Sequence, residues 1–437
     1  MGMQMTGPRL LHGFCSCRVF LLVVVLTFTS NLSLASAGSG KVVTSLPGYD
    51  GRLPFYLETG YVNVDEDNGA ELFYYFVKSE SGSGEDVPFL VWLNGGERCS
   101  VFSGLAFEIG FSFSRQPKGY EVGDISSSQQ VHHFLIQWFS GHPEYLANPL
   151  YIGGESYAGK IVPFLAQMIS EGTCARSPSG IEAGRRPLLN LKGYLVGNPA
   201  IRENINDTDV TYKVPFAHGF GIISDQLYEM ILGHCQIEDY INPSNASNAL
   251  CAQALGTFDN LISEVEQSHV LADKCVYASP IPTDGKSKMD GADGRKILME
   301  QKLNHPPARP PFGCISYGYF LSYYWANDRR TRNALAIKEG TVDEWVRCHD
   351  DDDLPYKYDL RNVIKYHMNL TSKGYRALVY SGDHDLMVPH LGTQAWIRSL
   401  NFSVIDDWRA WHLGGQSAGL VSFRQPLLPP LLHFVAY

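Results

Sequence analysis

The run Tyr151-Ile152-Gly153-Gly154-Glu155-Ser156-Tyr157-Ala158-Gly159 constrains this chain more than any other. The short apolar strand Leu150-Tyr151-Ile152 enters a glycine-flanked turn, a serine stands at its tip, and a helix is expected beyond, around Val162-Pro163-Phe164-Leu165. Small residues are required there because the turn is strained and the backbone passes close to the helix. Such a turn is a nucleophile elbow, which lifts a hydroxyl out of the fold for attack. The general pattern asks for glycine two positions beyond the serine, where Ala158 stands, so an ordinary Gly/Ser turn is the competing reading.

Two further segments favour the chemical reading. Asn94-Gly95-Gly96 follows the β-rich run Phe89-Leu90-Val91-Trp92-Leu93, and glycine-rich backbone there can aim N–H groups at a developing oxyanion. The amide of Tyr157 is the natural second donor. Far downstream, Val379-Tyr380-Ser381-Gly382-Asp383-His384-Asp385 ends another strand in acids, and an acid at a strand end orients the base in the order Ser…Asp…His.

The rest of the pattern is α/β. Phe73–Val77, Phe89–Leu93, Leu191–Val196 and Ala377–Tyr380 read as strands. Asp124-Ile125-Ser126 reads as a helix start, followed by Val131, Phe134, Leu135, Trp138 and Phe139 at helical spacing. Strands alternating with helices predict a central, mostly parallel sheet. About 201–311 the pattern turns helical, an insertion over the sheet.

Composition narrows the class. With 35 Lys+Arg against 45 Asp+Glu, a net charge of −10 and no basic run, nucleic acid is not an expected partner. At 44% hydrophobic and 18% charged residues, disorder is excluded. Arg9 and Arg18, the apolar run Val19–Phe28 and Ala35-Ser36-Ala37 predict a signal peptide over 1–37, cut before Gly38. The run is shorter than the roughly 20 apolar residues a bilayer requires, so no membrane association is expected after cleavage. Sequons at Asn206, Asn245, Asn369 and Asn401 agree with a secretory route. No Cys-x-x-Cys pair points to a metal, and no cofactor motif is present in the sequence.

Taken together, these residues resemble the plant serine carboxypeptidase-like proteins, members of the α/β-hydrolases. The likeness runs from Val43-Thr44-Ser45-Leu46-Pro47-Gly48 through Trp92–Gly96, the elbow, and Gly193-Tyr194-Leu195-Val196-Gly197-Asn198-Pro199. It continues through Tyr380–Asp385 to Asp406-Asp407-Trp408 and is expected to stop near Gly419. The resemblance implies an α/β-hydrolase domain over 38–437 with a helical lid. It makes Ser156 the nucleophile, Asp385 the triad acid in preference to Asp383, and Gly96 and Tyr157 the oxyanion amides. Asn94, Gly95, Glu108 and Glu155 match groups that hold a peptide's terminal carboxylate, the glutamates acting in protonated form in an acidic compartment. It also implies disulfides Cys99–Cys348, Cys235–Cys251 and Cys275–Cys314, with Cys174 free.

Three departures accompany the match. Glu97 and Arg98 replace the family's Pro-Gly after Asn-Gly-Gly, beside the expected oxyanion hole, where loss of one donor costs on the order of 10²–10³ in rate. Phe107-Glu108-Ile109-Gly110 runs directly into Phe111-Ser112-Phe113-Ser114, where the family carries a core segment. The tail 420–437 lacks the family's Gly-Gly-Gly-His segment, which supplies the base; His433 is the tail's only histidine, and His384, His390 and His412 match no base position. The resemblance therefore implies a secreted or vacuolar serine carboxypeptidase releasing C-terminal residues through an acyl-enzyme on Ser156, with activity impaired by the missing histidine. The alternatives are a glucose-ester-dependent acyltransferase and a non-catalytic or truncated family member. In either enzymatic reading the partner is a peptide or a small acyl substrate.

Overall fold

The computed structural model describes residues 40–80, 82, 84–96, 99, 110–172, 189–201, 205–241, 243, 246–274, 315–349, 354–425 and 432–436. Its strands are β1 (Lys41–Val43), β2 (Leu57–Asp65), β3 (Ala70–Val77), β4 (Phe89–Leu93), β5 (Val122–Gly123), β6 (Leu150–Glu155), β7 (Leu191–Gly197), β8 (Tyr356–Lys357), β9 (Arg376–Ser381), β10 (Ser403–Leu413), β11 (Gln416–Gln425) and β12 (Leu432–Ala436). Its α-helices are α1 (Asp124–Gly141), α2 (Ala158–Glu171), α3 (Ile205–Gly219), α4 (Asp225–His234), α5 (Ile237–Ile241), α6 (Ala249–Ser263), α7 (Ile315–Asn327), α8 (Arg329–Ala334), α9 (Ile364–Ser372) and α10 (His390–Ser399).

The central sheet has seven strands in the order β10-β11-β12-β9-β7-β6-β4. The pairings from β4 through β6, β7 and β9 to β12 are parallel, and only β10–β11–β12 is antiparallel. The expected mostly parallel α/β sheet is therefore present. Parallel strands need covering on both faces, and α1, α2, α9 and α10 contribute Phe134, Leu135, Val162, Leu165, Leu370 and Trp396 to a core shared with Val91, Ile152, Val196 and Val379. On α1 the buried residues Val131, Phe134, Leu135, Trp138 and Phe139 are those whose spacing predicts its apolar face. The second helix starts at Ala158, earlier than Val162, and carries Pro163 inside its first turns.

β1, β2 and β3 form a separate three-stranded antiparallel sheet. Its face packs with Phe111, Phe113, Ala326 and Trp345 in a second core. Among the described residues no strand joins β3 to β4, and a cleft lies between Tyr74–Lys78 and Phe89–Trp92. The helical insertion is present as α3–α6, with its own core of Phe216, Ile231, Cys251 and Phe258 extending to Leu386. Two disulfides match the expected pairs, Cys99–Cys348 and Cys235–Cys251. Cys275, Cys314 and Cys174 lie outside the described residues, as does the 1–37 signal segment.

The tail, atypical of the family in sequence, carries strand: 420–425 completes β11, and β12 lies between β11 and β9. No helix among the described residues is long and apolar enough to cross a membrane.

Candidate active site

Ser156 sits between the end of β6 and the start of α2 with φ 56°, in the left-handed region where a side chain is strained. The surrounding backbone holds it there. Its N–H donates to Gly197 O (2.9 Å), and its carbonyl accepts from the N–H groups of Gly159 and Ala200 (2.9 Å each). The glycines are there for close approach: a Cβ on Gly154 would lie 2.5 Å from Leu93 O, and one on Gly159 2.4 Å from Pro199 Cβ. The methyl group of Ala158 fits, buried against Gly154, so the missing second glycine does not spoil the elbow.

The end of β4 crosses directly beside this turn. A Cβ on Gly95 would stand 2.5 Å from Ser156 Cβ and 3.2 Å from its Oγ, so only glycine permits the approach. Gly96 follows with φ 82°, and the loop is closed by Cys99 N–H donating to Gly96 O (3.0 Å) and by the bridge to Cys348. Gly95 N–H also donates to Glu155 Oε1 (3.0 Å), while the Asn94 amide reaches Gly95 O (3.2 Å). Burial raises the proton affinity of Glu155 despite the Gly95 N–H and the less well-placed Trp92 indole, and its Oε2 is buried without a well-formed hydrogen bond among the described residues. Of the four residues expected to hold a carboxylate, Asn94, Gly95 and Glu155 are thus together. Glu108 lies outside the described residues, as do Glu97 and Arg98.

Asp385 lies in the turn beyond β9. Its Oδ1 accepts from Met387 N–H (2.6 Å) and Val388 N–H (3.1 Å), yet burial outweighs these bonds and Lys213 to raise its proton affinity. The insertion clamps this turn: Leu386 N–H donates to Gln267 O (2.9 Å), and Val270 N–H to His384 O (3.0 Å). Asn198, at φ 36°, ties the ends of β7 and β9 by accepting from Gly382 N–H (3.0 Å) and donating to Val388 O (3.1 Å).

The described histidines are elsewhere. His384 Nδ1 pairs with Asp383 (3.0 Å), and its ring stacks on His269. His390 opens α10 half-buried with Nδ1 unpartnered among the described residues, and burial lowers its basicity against the pull of Asp383. His412 is exposed on β10, and His433 lies within β12, its backbone opposite Leu378 and Phe423. Among the described residues no imidazole is hydrogen-bonded to Ser156 or Asp385.

One supporting residue is visible to sequence reasoning only as a helix start. Asp124 is fully buried, and its carboxylate accepts from Tyr157 OH (2.5 Å), Tyr356 OH (3.0 Å) and Leu360 N–H (2.8 Å). It fixes the ring of the residue that follows the serine. The sequons also differ. Asn369 donates to Gln167 (2.7 Å) and its partner Thr371 is fully buried, whereas Asn401 is exposed in a left-handed turn after α10. Only the backbone of Asn206 is described, in α3, and Asn245 lies outside the described residues.

The profile of the family described as "Serine carboxypeptidase" matches residues 47–110 and 109–428. The chain belongs to the serine carboxypeptidase family. Its match extends to residue 428, beyond the limit near Gly419 expected from motifs. Among serine carboxypeptidase-like relatives from Arabidopsis thaliana, number 19 is 38% identical over 92% of this chain and 90% of its own length. Number 7 is 36% identical over 92% and 89%. The crystal structure of Kex1(Δ)p, a prohormone-processing carboxypeptidase from Saccharomyces cerevisiae, superposes with a TM-score of 0.58 at 18% identity, covering 87% of this chain and 86% of that one. At that identity the superposition speaks to the shared α/β-hydrolase fold.

Proposed function

We propose that this chain performs serine carboxypeptidase chemistry at Ser156, at a rate limited by the lack of a positioned base among the described residues. The observation that carries the reading is the left-handed Ser156 at the elbow tip, with Gly95 against it and Glu155 bonded to Gly95 N–H. In this reading Ser156 Oγ attacks the carbonyl of the last peptide bond, and the Gly96 and Tyr157 amides receive the oxyanion. The C–N bond then breaks to an acyl-enzyme, the terminal amino acid leaves, and water hydrolyses the ester. Asn94, Gly95 and Glu155 hold the terminal carboxylate, Glu155 by donating its proton; Glu108 is the expected fourth group. That role needs mildly acidic surroundings, which accords with a secretory or vacuolar location.

Asp385 is the proposed acid of the triad, with no imidazole between it and Ser156 among the described residues. Without a base a serine hydroxyl is a poor nucleophile, a loss on the order of 10⁶ in kcat in a comparable hydrolase. The same absence favours the second reading, a non-catalytic family member. Labelling of the purified chain with a fluorophosphonate, beside Ser156→Ala, separates the two. Slow labelling abolished by the substitution supports the enzyme, and no labelling of a folded chain supports the non-catalytic reading. A labelled chain is then offered a blocked dipeptide and a glucose ester with an alcohol acceptor, since acyl transfer would use the same acyl-enzyme.

A further inference from the structure

The gap between the two sheets is a cleft of about 550 Å³, bounded by Tyr74–Lys78 of β3 and its exit on one side and by Phe89–Trp92 of β4 on the other. Its floor is aromatic: Phe76 and Phe89 stack at 5.7 Å, and Trp138 of α1 lies 5.1 and 5.2 Å from them. Both walls are sheet edges. Phe89 N–H points to Pro149 O on the β6 side, so by the two-residue alternation of a strand Leu90 and Trp92 present their backbone groups to the cleft. On β3, Glu71 exchanges two backbone hydrogen bonds with Phe113 in an antiparallel bridge, and Phe73 N–H donates to Ser112 Oγ. The same alternation turns the backbone of Val77 to the cleft, and no strand among the described residues follows this edge beyond the bridge.

Two large aliphatic side chains lie exposed at the cleft, Val77 at 44% and Leu90 at 49%. The two blocks of the family match, 47–110 and 109–428, overlap just before Phe111–Phe113. At the rim stand Glu85 and Glu144 against Lys78, an excess of negative charge.

We infer that this cleft is an acceptor site for an extended, apolar, basic-flanked strand of another polypeptide, which inserts between β3 and β4 and joins the two sheets. A core of about five residues matches β4 in length, since a strand advances about 3.3 Å per residue. Backbone hydrogen bonds to Leu90, Trp92 and Val77 give the strand its register, and alternate side chains enter the aromatic floor. The basic flanks meet Glu85 and Glu144.

The test is fluorescence anisotropy of the intact chain with a labelled, lysine-flanked peptide whose core alternates valine and isoleucine. A counterpart carries N-methyl groups on alternate core amides. Saturable binding is expected, weakened at least tenfold by N-methylation and at least tenfold by Leu90→Lys, with circular dichroism confirming that the variant is folded. Glu144→Lys, at the exposed rim, is expected to weaken binding several-fold and to flatten its salt dependence. Equal binding of the N-methylated peptide would show an apolar pocket without strand pairing and overturn the inference. So would absence of saturable binding, or sedimentation showing the cleft closed by a second copy of this chain.

Discussion

Replacing Asp124 by asparagine should destabilise the protein through the elbow rather than through α1 alone. The carboxylate accepts three hydrogen bonds in a fully buried position, two from tyrosine hydroxyls and one from Leu360 N–H. Bonds to a charged acceptor are worth about 1.5–3 kcal/mol each, and neutral ones about 1 kcal/mol. Asparagine keeps the shape but turns one acceptor into a donor, so at best two neutral bonds survive. Relief of a buried charge offsets part of the loss, leaving about 2 kcal/mol. With an unfolding entropy near 2.1 cal/mol/K per residue, a chain of roughly 400 residues should melt about 2–3 °C lower. Asp124→Ala, which strands all three donors, should cost about 3–5 kcal/mol. Calorimetry of Asp124→Asn, Tyr157→Phe and the double variant isolates the pair, with an expected coupling of about 1–2 kcal/mol. If the two losses add to within about 0.5 kcal/mol, Asp124 does not act through Tyr157 and the reasoning fails.

Three other outcomes follow from the buried groups and the long bridge. His367 is fully buried and held neutral, its pKa pushed from 6.5 to about 3 by desolvation. The unfolded chain therefore binds more protons below pH 6.5, and the protein should lose about 2 kcal/mol between pH 7 and 5. His367→Gln, which keeps an acceptor for Tyr194, should flatten that slope in pH-dependent melting curves. Glu155 has the opposite sign: its folded pKa lies above the ordinary 4.5, so the folded state favours the proton and stability falls as pH rises through that range. Glu155→Gln should gain on the parent above about pH 5 in the same assay, and a constant difference would count against a buried, protonated carboxyl. Cys99–Cys348 closes a separation of 249 residues, so Cys99→Ser with Cys348→Ser should lower the unfolding free energy by about 3–5 kcal/mol in denaturant titration.

What local pattern could reveal, it revealed. The elbow, the strand before Asn94, the apolar face of α1 and the strand before Asp385 all rest on short-range rules of alternation, helical spacing and small residues at turns. The contacts of Asp124 come from Tyr157, Tyr356 and Leu360, the last two more than 230 residues away in sequence, and no periodicity reports them. Asn198 sits in the noticed Gly-Asn-Pro run, but its left-handed backbone and its grip on Gly382 and Val388 are tertiary facts. β10 was invisible for another reason: most of its residues are exposed, so it lacks the in/out alternation that betrays a half-buried strand.

The same reasoning separates what holds the elbow from what the proposed chemistry asks of a base. The turn at Ser156 is held by Gly197 of β7, Ala200 just beyond it and Gly159 in the first turn of α2, and the wall beside it by Gly95 after β4. These contacts depend on β4, β6 and β7 being adjacent, which the parallel pairings β4–β6 and β6–β7 provide. A base in the proposed mechanism, by contrast, has to reach Ser156 and Asp385 beyond the carboxyl ends of β6 and β9. In this chain the strand beside β9 is β12, which brings His433 to a register opposite Leu378, inside the sheet and not beyond the carboxyl end where Asp385 turns. The strained serine is thus a product of central sheet geometry, whereas the base that the proposed chemistry needs is not supplied by the described strands.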